Sequence, residues 1–198
     1  MGLDGSSEKV LSGEELYAEC FDDSIEQSAV FDGVLFECVG QELPAIVLTP
    51  HCDILHPRGQ PLLTVSGVFP ASIVFEQFLR DKLLPEDQIV GSEPAPKKAY
   101  KAFSNEFKKY YLKNRVLEFH FLPSYKDKLP HSFVDFKIVK TLGGEELNGK
   151  KKIAQLKPPW RECVPSRYAA YSLRVGVKEF AADFLDHVME DVSTVRVS

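Results

Sequence analysis

The stretch AVFDGVLFECVGQELPAIVLTPHCD, residues 29–53, decides how this chain folds. Residues 29–39 are rich in β-branched and aromatic side chains and predict a strand, with Gly33 as a bulge. Gln41-Glu-Leu and Pro44 predict a turn. Ala45–Thr49 is a near-continuous apolar run, the pattern of a strand buried on both faces. The run ends in His51, Cys52 and Asp53, with His56 three residues on and Pro50 and Pro57 on either side. Pro57-Arg-Gly59 reads as a turn, and PLLTVSGVF (61–69) as a third strand.

Pro70 changes the period. Val74, Phe75, Phe78, Leu79 and Leu83 fall at helical spacing and predict a helix over 71–84. A proline-rich link leads to a second helix over 97–114, where Tyr100, Phe103, Phe107, Tyr110 and Tyr111 form a stripe flanked by lysines. Such a stripe can stack bases, but packing in a core is the preferred reading. Alternation returns in RVLEFHFLP (115–123), which puts His120 on the more polar face, in HSFVDFKIVKTL (131–142) and in KKKIAQL (150–156). Pro165 suits the first position of a helix over 165–175 that Gly176 ends, and a last helix is expected over 178–192. Near the start, Ser12 and Glu15 match a capping box for a short helix over 13–20. The expected fold is mainly β with α. It is one domain over 1–198: a small curled sheet or barrel from strands in 29–69 and 115–156, a helical insertion over 71–114, and C-terminal helices over 165–192. An open α+β sheet is the alternative.

The chain of 198 residues can bury a sizeable core unaided. No stretch reaches the length and apolarity of a membrane span, and the acidic start does not read as a secretory signal. Cys20, Cys38, Cys52 and Cys163 form no C-x-x-C pair, so reduced thiols and a cytoplasmic location are expected. The net charge of −5 opposes bulk binding to nucleic acid. It is unevenly spread: residues 1–40 are acidic, whereas Lys97 to Lys128 is a basic stretch that either pairs with the acidic end or faces a polyanion.

Residues 29–72 and 115–158 resemble the MazF/PemK-type ribonuclease toxins. VFDGVLFECVGQELPAIVLTPHCD is similar to their two opening strands, LLTVSGVFPAS to the next, and HSFVDFKIVKTLGGEELNGKKKIAQLKPP to their late segment. The resemblance implies an SH3-like β-barrel, often dimeric, in bacterial toxin–antitoxin systems, cleaving RNA without metal. Where that family carries a catalytic arginine this chain has Glu42 and Leu43, and the Thr/Ser role reaches Ser72. The Cys52-Asp53 pair and the closing PPWRE…SRYA…RVG segment instead resemble uncharacterised bacterial relatives.

Three readings of His51, Cys52, Asp53 and His56 stay open. All four are residue types that bind zinc, although adjacent strand residues point to opposite faces. A thiol nucleophile at Cys52 would take His51, His56 or His120 as its base and Asp53 to orient it. In the preferred, structural reading Cys52 packs as a small apolar residue and Asp53 accepts backbone N–H bonds. The second constellation is Arg161, Arg167 and Arg174, with Tyr171 on the helical face of the last two; the arginines grip a phosphate or carboxylate or else salt-bridge Asp53, Glu162 or the acidic amino-terminal segment.

Two function classes follow. The first is a module that binds RNA or a protein partner in a toxin–antitoxin or defence setting, without the standard ribonuclease chemistry. Its binding residues are Arg161, Arg167, Tyr171, Arg174 and Ser72. The second is an active hydrolase, either a divergent endoribonuclease or a thiol or zinc enzyme with Cys52, Asp53 and His56 as candidate catalytic residues. No cofactor, resident metal or membrane partner is expected, and a homodimer is compatible with either class.

Overall fold

A computed structural model describes residues 13–56, 62–83 and 97–173. Arg174, the helix expected over 178–192, the Pro57–Gly59 turn, the 84–96 link and the Ser12 half of the capping box lie outside them.

Six antiparallel strands form one curled sheet: β1 (Ala29–Phe36), β2 (Gln41–Val47), β3 (Leu62–Pro70), β4 (Phe119–Leu122), β5 (Ser132–Gly143) and β6 (Lys152–Gln155). Their order is β4-β5-β3-β2-β1-β6. The architecture is mixed α/β, with α1 (His51–Leu55), α2 (Ala71–Leu83), α3 (Lys97–Phe107, extended by a π-helical turn Lys108–Leu112) and α4 (Trp160–Ser172).

The bulge at Gly33 is present, and it explains why Pro44 lies inside β2 rather than in the expected turn. Phe31 pairs with Ala45 and Val34 with Leu43, so β1 carries one extra residue opposite Pro44. Gly33 takes the left-handed conformation there, with φ +70°. The ladder to β3 begins only at Ala45. The proline, which has no N–H, therefore occupies a position where neither neighbour needs a donor.

The sheet is buried on both faces across β1, β2 and β3. Val30, Ile46, Val68, Val134 and Phe136 pack with Val164 of α4, and Tyr168 and Tyr171 lie against that cluster. On the other face Phe31, Val34, Leu43, Ala45, Val47 and Val65 form a second cluster. Two-sided burial is the physical origin of the unbroken apolar run in β2. Of the aromatic stripe of the second predicted helix, Phe103, Phe107 and Tyr111 are core. Phe107 and Tyr111 stack at 4.7 Å, and Phe107 meets Phe75 of α2 at 4.8 Å and Phe133 of β5 at 5.7 Å. Tyr110 faces outward, with Lys109 Nζ 5.0 Å from its ring centre.

The two edge strands, β4 and β6, do not pair with each other. A strap spans the seam between them. The helix expected over 13–20 is only a 3-10 turn, Gly13–Leu16, after which the chain runs extended along β6. Ala18 N–H donates to Gln155 O (2.8 Å), and Lys157 N–H to Leu16 O (3.0 Å). On the far side, Tyr17 Oη donates to Pro123 O (2.6 Å) and Tyr125 Oη to Ala18 O (2.9 Å). The Tyr17 and Tyr125 rings lie 4.7 Å apart. Pairing with β6 uses backbone groups that an isolated helical turn would leave in water, and it buries Tyr17 almost completely.

Helix α4 begins at Trp160, five residues before the expected start, so Pro165 stands in its interior. A proline there cannot donate to the carbonyl four residues earlier, that of Arg161. That carbonyl accepts instead from Ser28 Oγ (2.7 Å) and Gln27 Nε2 (3.3 Å), at the entry to β1. The helix tolerates its proline because the sheet supplies the missing donor.

Candidate functional site

The polar knot after β2 forms a surface turn. Thr49 and Pro50 end the strand's course, and the Pro50 carbonyl accepts from Asp53 N–H (3.1 Å) and Ile54 N–H (3.2 Å), winding His51–Leu55 into the single turn of α1. Ile54 anchors this turn on the second core cluster. Cys52, Asp53 and His56 are exposed, and Cys52 Sγ lies 3.5 Å from Asp53 Oδ1. Cys52 is therefore not packed as a small apolar side chain. No group of three or more metal-binding side chains assembles among the described residues. The expected contact between Asp53 and α4 is replaced by Gln27, whose Oε1 accepts from His51 N–H (2.9 Å) while its Nε2 reaches Arg161 O.

The other sequence candidates separate. Arg161 Nε pairs with Glu162 at 3.0 Å. Tyr171 is half-buried, its ring 6.1 Å from that of Phe136. Ser72 is exposed at the mouth of an apolar cavity of about 540 Å³ floored by Phe75, Phe107 and Phe121. Arg167 lies in a different place, a cleft of about 610 Å³ at the seam of the sheet. There it meets His120, Asn114, Trp160, Cys163 and Ser166, with Leu16 and Pro123 of the strap region at the rim.

Each polar group in this cleft is held by an identifiable element. Asn114 follows the π-helical turn with φ +54°, a conformation asparagine tolerates, and its Oδ1 accepts from Phe121 N–H at 2.6 Å. Cys163, Ser166 and Arg167 share one side of α4 through i, i+3 and i+4 spacing. Arg167 Nη2 donates to Val116 O and Phe119 O, both at 3.0 Å, carbonyls at the start of the β4 edge. Its Nε is buried without an acceptor. Among the described residues no acceptor stands against Nη1. Half-burial holds the guanidinium below its usual pKa, and the field of Cys163 works in the opposite direction. It remains a cation at any ordinary pH.

His120 does not face a polar side. It is 8% exposed, on the face of β4 that α4 covers, and its Nδ1 has no partner. Burial, and then the neighbouring Arg167, push its pKa down to about 3. The imidazole is thus neutral beside a permanent cation. This arrangement can receive an anion at Arg167 and an aromatic group against Trp160, within hydrogen-bonding reach of neutral side chains.

Of the cleft residues, sequence reasoning singled out Arg167 and missed His120, Asn114, Trp160 and Cys163 as a set. The i, i+4 spacing of Cys163 and Arg167 was the available signal. With Pro165 read as the helix start, Cys163 falls outside the helix and the spacing is hidden. No known protein family matches the sequence, and no curated protein is similar to it.

Proposed function

We propose that the protein is an RNA-binding module, an SH3-like barrel of the MazF/PemK kind working in a toxin–antitoxin or defence setting, and that the seam cleft is where it grips single-stranded RNA. One observation carries this reading: the guanidinium of Arg167, which lines the cleft, is fixed by two backbone carbonyls through Nη2. A preorganised donor of this kind suits a phosphate oxygen. Trp160 beside it supplies a face on which a base can stack. Exposed Lys101, Lys108, Lys109, Lys113 and Arg115 run along α3 and its extension toward Asn114 at the cleft, a local positive track on a chain of net charge −5. The curled antiparallel sheet and the likeness of its strands to those toxins favour RNA among polyanions. The departure at Glu42 and Leu43 favours binding over cleavage: Glu42 lies 3.7 Å from Lys150, and Leu43 is buried.

The test is binding of a fluorescent single-stranded RNA 12-mer, read by anisotropy across a salt series, with the RNA then run on a denaturing gel with and without EDTA. Arg167→Gln is expected to weaken binding at least tenfold. Lys113→Gln, which touches no core, should lower the salt slope by about one. Intact RNA bound by the wild type, at least tenfold more weakly by Arg167→Gln and with a reduced salt slope by Lys113→Gln, supports the proposal. Equal affinity in wild type and Lys113→Gln, with no salt dependence, overturns it. Cleavage abolished by Arg167→Gln would instead assign the hydrolase reading to this cleft.

A further inference from the structure

The cleft holds a thiol that RNA binding does not use. Cys163 is half-exposed, one helical turn before Arg167 on α4, and its Sγ donates to Pro159 O at 3.4 Å. The chain's other three cysteines are all exposed, and each sits beside an acid: Cys20 follows Glu19, Cys38 follows Glu37, and Cys52 Sγ is 3.5 Å from Asp53. Cys163 also follows an acid, Glu162, but that carboxylate is drawn to Arg161 Nε at 3.0 Å. Glu162 lines the same cleft, but with its carboxylate paired to Arg161 the cation beside Cys163 there is the guanidinium of Arg167, one helical turn on. His120 lines the same cleft, more than nine-tenths buried, with Nδ1 unpartnered, and adds no charge that would offset the guanidinium or its attraction for an anion.

We propose that Cys163 is a modification site selective for anionic low-molecular-weight disulfides, which Arg167 draws into the cleft. The step is thiol–disulfide exchange. Sγ–H loses its proton to solvent, the thiolate attacks one sulfur of the incoming disulfide, and that S–S bond breaks as the Sγ–S bond forms. The departing thiolate takes up a proton. Cys163 is oxidised, the released thiol is reduced, and no further reactant is needed. A mixed disulfide then fills the cleft and displaces RNA. This regulatory consequence rests on the RNA-binding proposal, whereas the modification itself does not.

The experiment exposes the full chain to oxidised glutathione, which is anionic, or to cystamine, which is cationic, and follows each cysteine by peptide mass spectrometry at early times without RNA. One unit charge near contact changes local reagent concentration roughly fivefold in water. Cys163 should therefore show an anionic-to-cationic rate ratio at least tenfold above that of Cys52. Arg167→Gln should erase the difference. Raising salt from about 0.05 to 0.5 M should do so in the unaltered protein, which covers the case in which the variant fails to fold. A ratio at Cys163 equal to that at Cys52, or one indifferent to salt, overturns the proposal. In a separate arm, glutathionylation should lower RNA affinity at least tenfold, reversibly with dithiothreitol, and Cys163→Ala should be insensitive to the disulfide. If labelling is selective but RNA never binds, the RNA reading fails and the modification site stands.

Discussion

Replacing Ser28 by alanine tests the account of Pro165 directly. Ser28 is fully buried, and its Oγ gives the Arg161 carbonyl the better of its two hydrogen bonds, 2.7 Å against 3.3 Å from Gln27. Its φ of +60° strains serine and alanine alike, so the substitution isolates the hydroxyl. Leaving a buried carbonyl short of a donor costs about 1–2 kcal/mol. In a Pro165→Ala background the new N–H at 165 reaches the same carbonyl by the ordinary helical bond. There Ser28→Ala should cost about 1 kcal/mol less, and the two changes should couple by that amount. The assay is guanidinium chloride unfolding followed by fluorescence of Trp160, the chain's single tryptophan and the first residue of α4. A cost for Ser28→Ala that is the same in both backgrounds, within about 0.3 kcal/mol, refutes the idea that the sheet replaces the proline's missing donor.

Three further outcomes follow from the same geometry. His120 is held down at about 3, so the unfolded chain takes up a proton near pH 6.5 that the folded chain refuses. Stability from this group is complete above pH 6.5 and declines as pH falls, by about 2 kcal/mol between pH 7 and 5. His120→Gln should be flatter by that amount over the same range in denaturant titrations, and an unchanged slope refutes the assignment. Tyr17→Phe removes the bond to Pro123 O and should cost about 1 kcal/mol, with faster hydrogen exchange at the Ala18 and Lys157 amides. Unaltered exchange there would show that the strap does not depend on this hydroxyl. Gly33→Ala meets only ordinary contacts, Glu42 Oε2 at 3.6 Å and Lys150 Nζ at 3.7 Å, but forces an L-residue to φ +70°. It should cost about 1 kcal/mol in thermal or chemical unfolding, and a neutral result would place the bulge elsewhere.

The sheet was legible because period-two alternation and β-branched runs reflect local geometry, and the six strands lie close to where those patterns place them. Ends were less legible, each for a physical reason. Pro44 reads as a turn because the expected bulge at Gly33 does not by itself say which residue of the partner strand will stand opposite it. Pro165 reads as a helix start because its compensating donors, Gln27 and Ser28, lie more than 130 residues away. His120 reads as solvent-facing because alternation identifies two faces without saying that α4 covers the second. Of the site, Arg167 could be picked out as a helical arginine. Its partners could not, since they are backbone carbonyls at and just before the start of β4, and a sequence does not display which carbonyls a distant side chain will meet.

Those carbonyls explain why the cleft sits where it does. A curled sheet whose edge strands β4 and β6 do not meet leaves unpaired backbone groups along its seam. The Leu16–Ala18 strap satisfies part of it, through Gln155, Lys157 and Pro123. At Val116 and Phe119 the strap does not reach, and Arg167 serves as the donor. A guanidinium carries five N–H bonds in a fixed fork, more than two neighbouring carbonyls consume. The side chain that braces this edge therefore has N–H groups beyond those the two carbonyls take up. Substituting Arg167 by a neutral residue should weaken ligand binding and loosen the β4 edge together, whereas Lys113→Gln should affect binding alone.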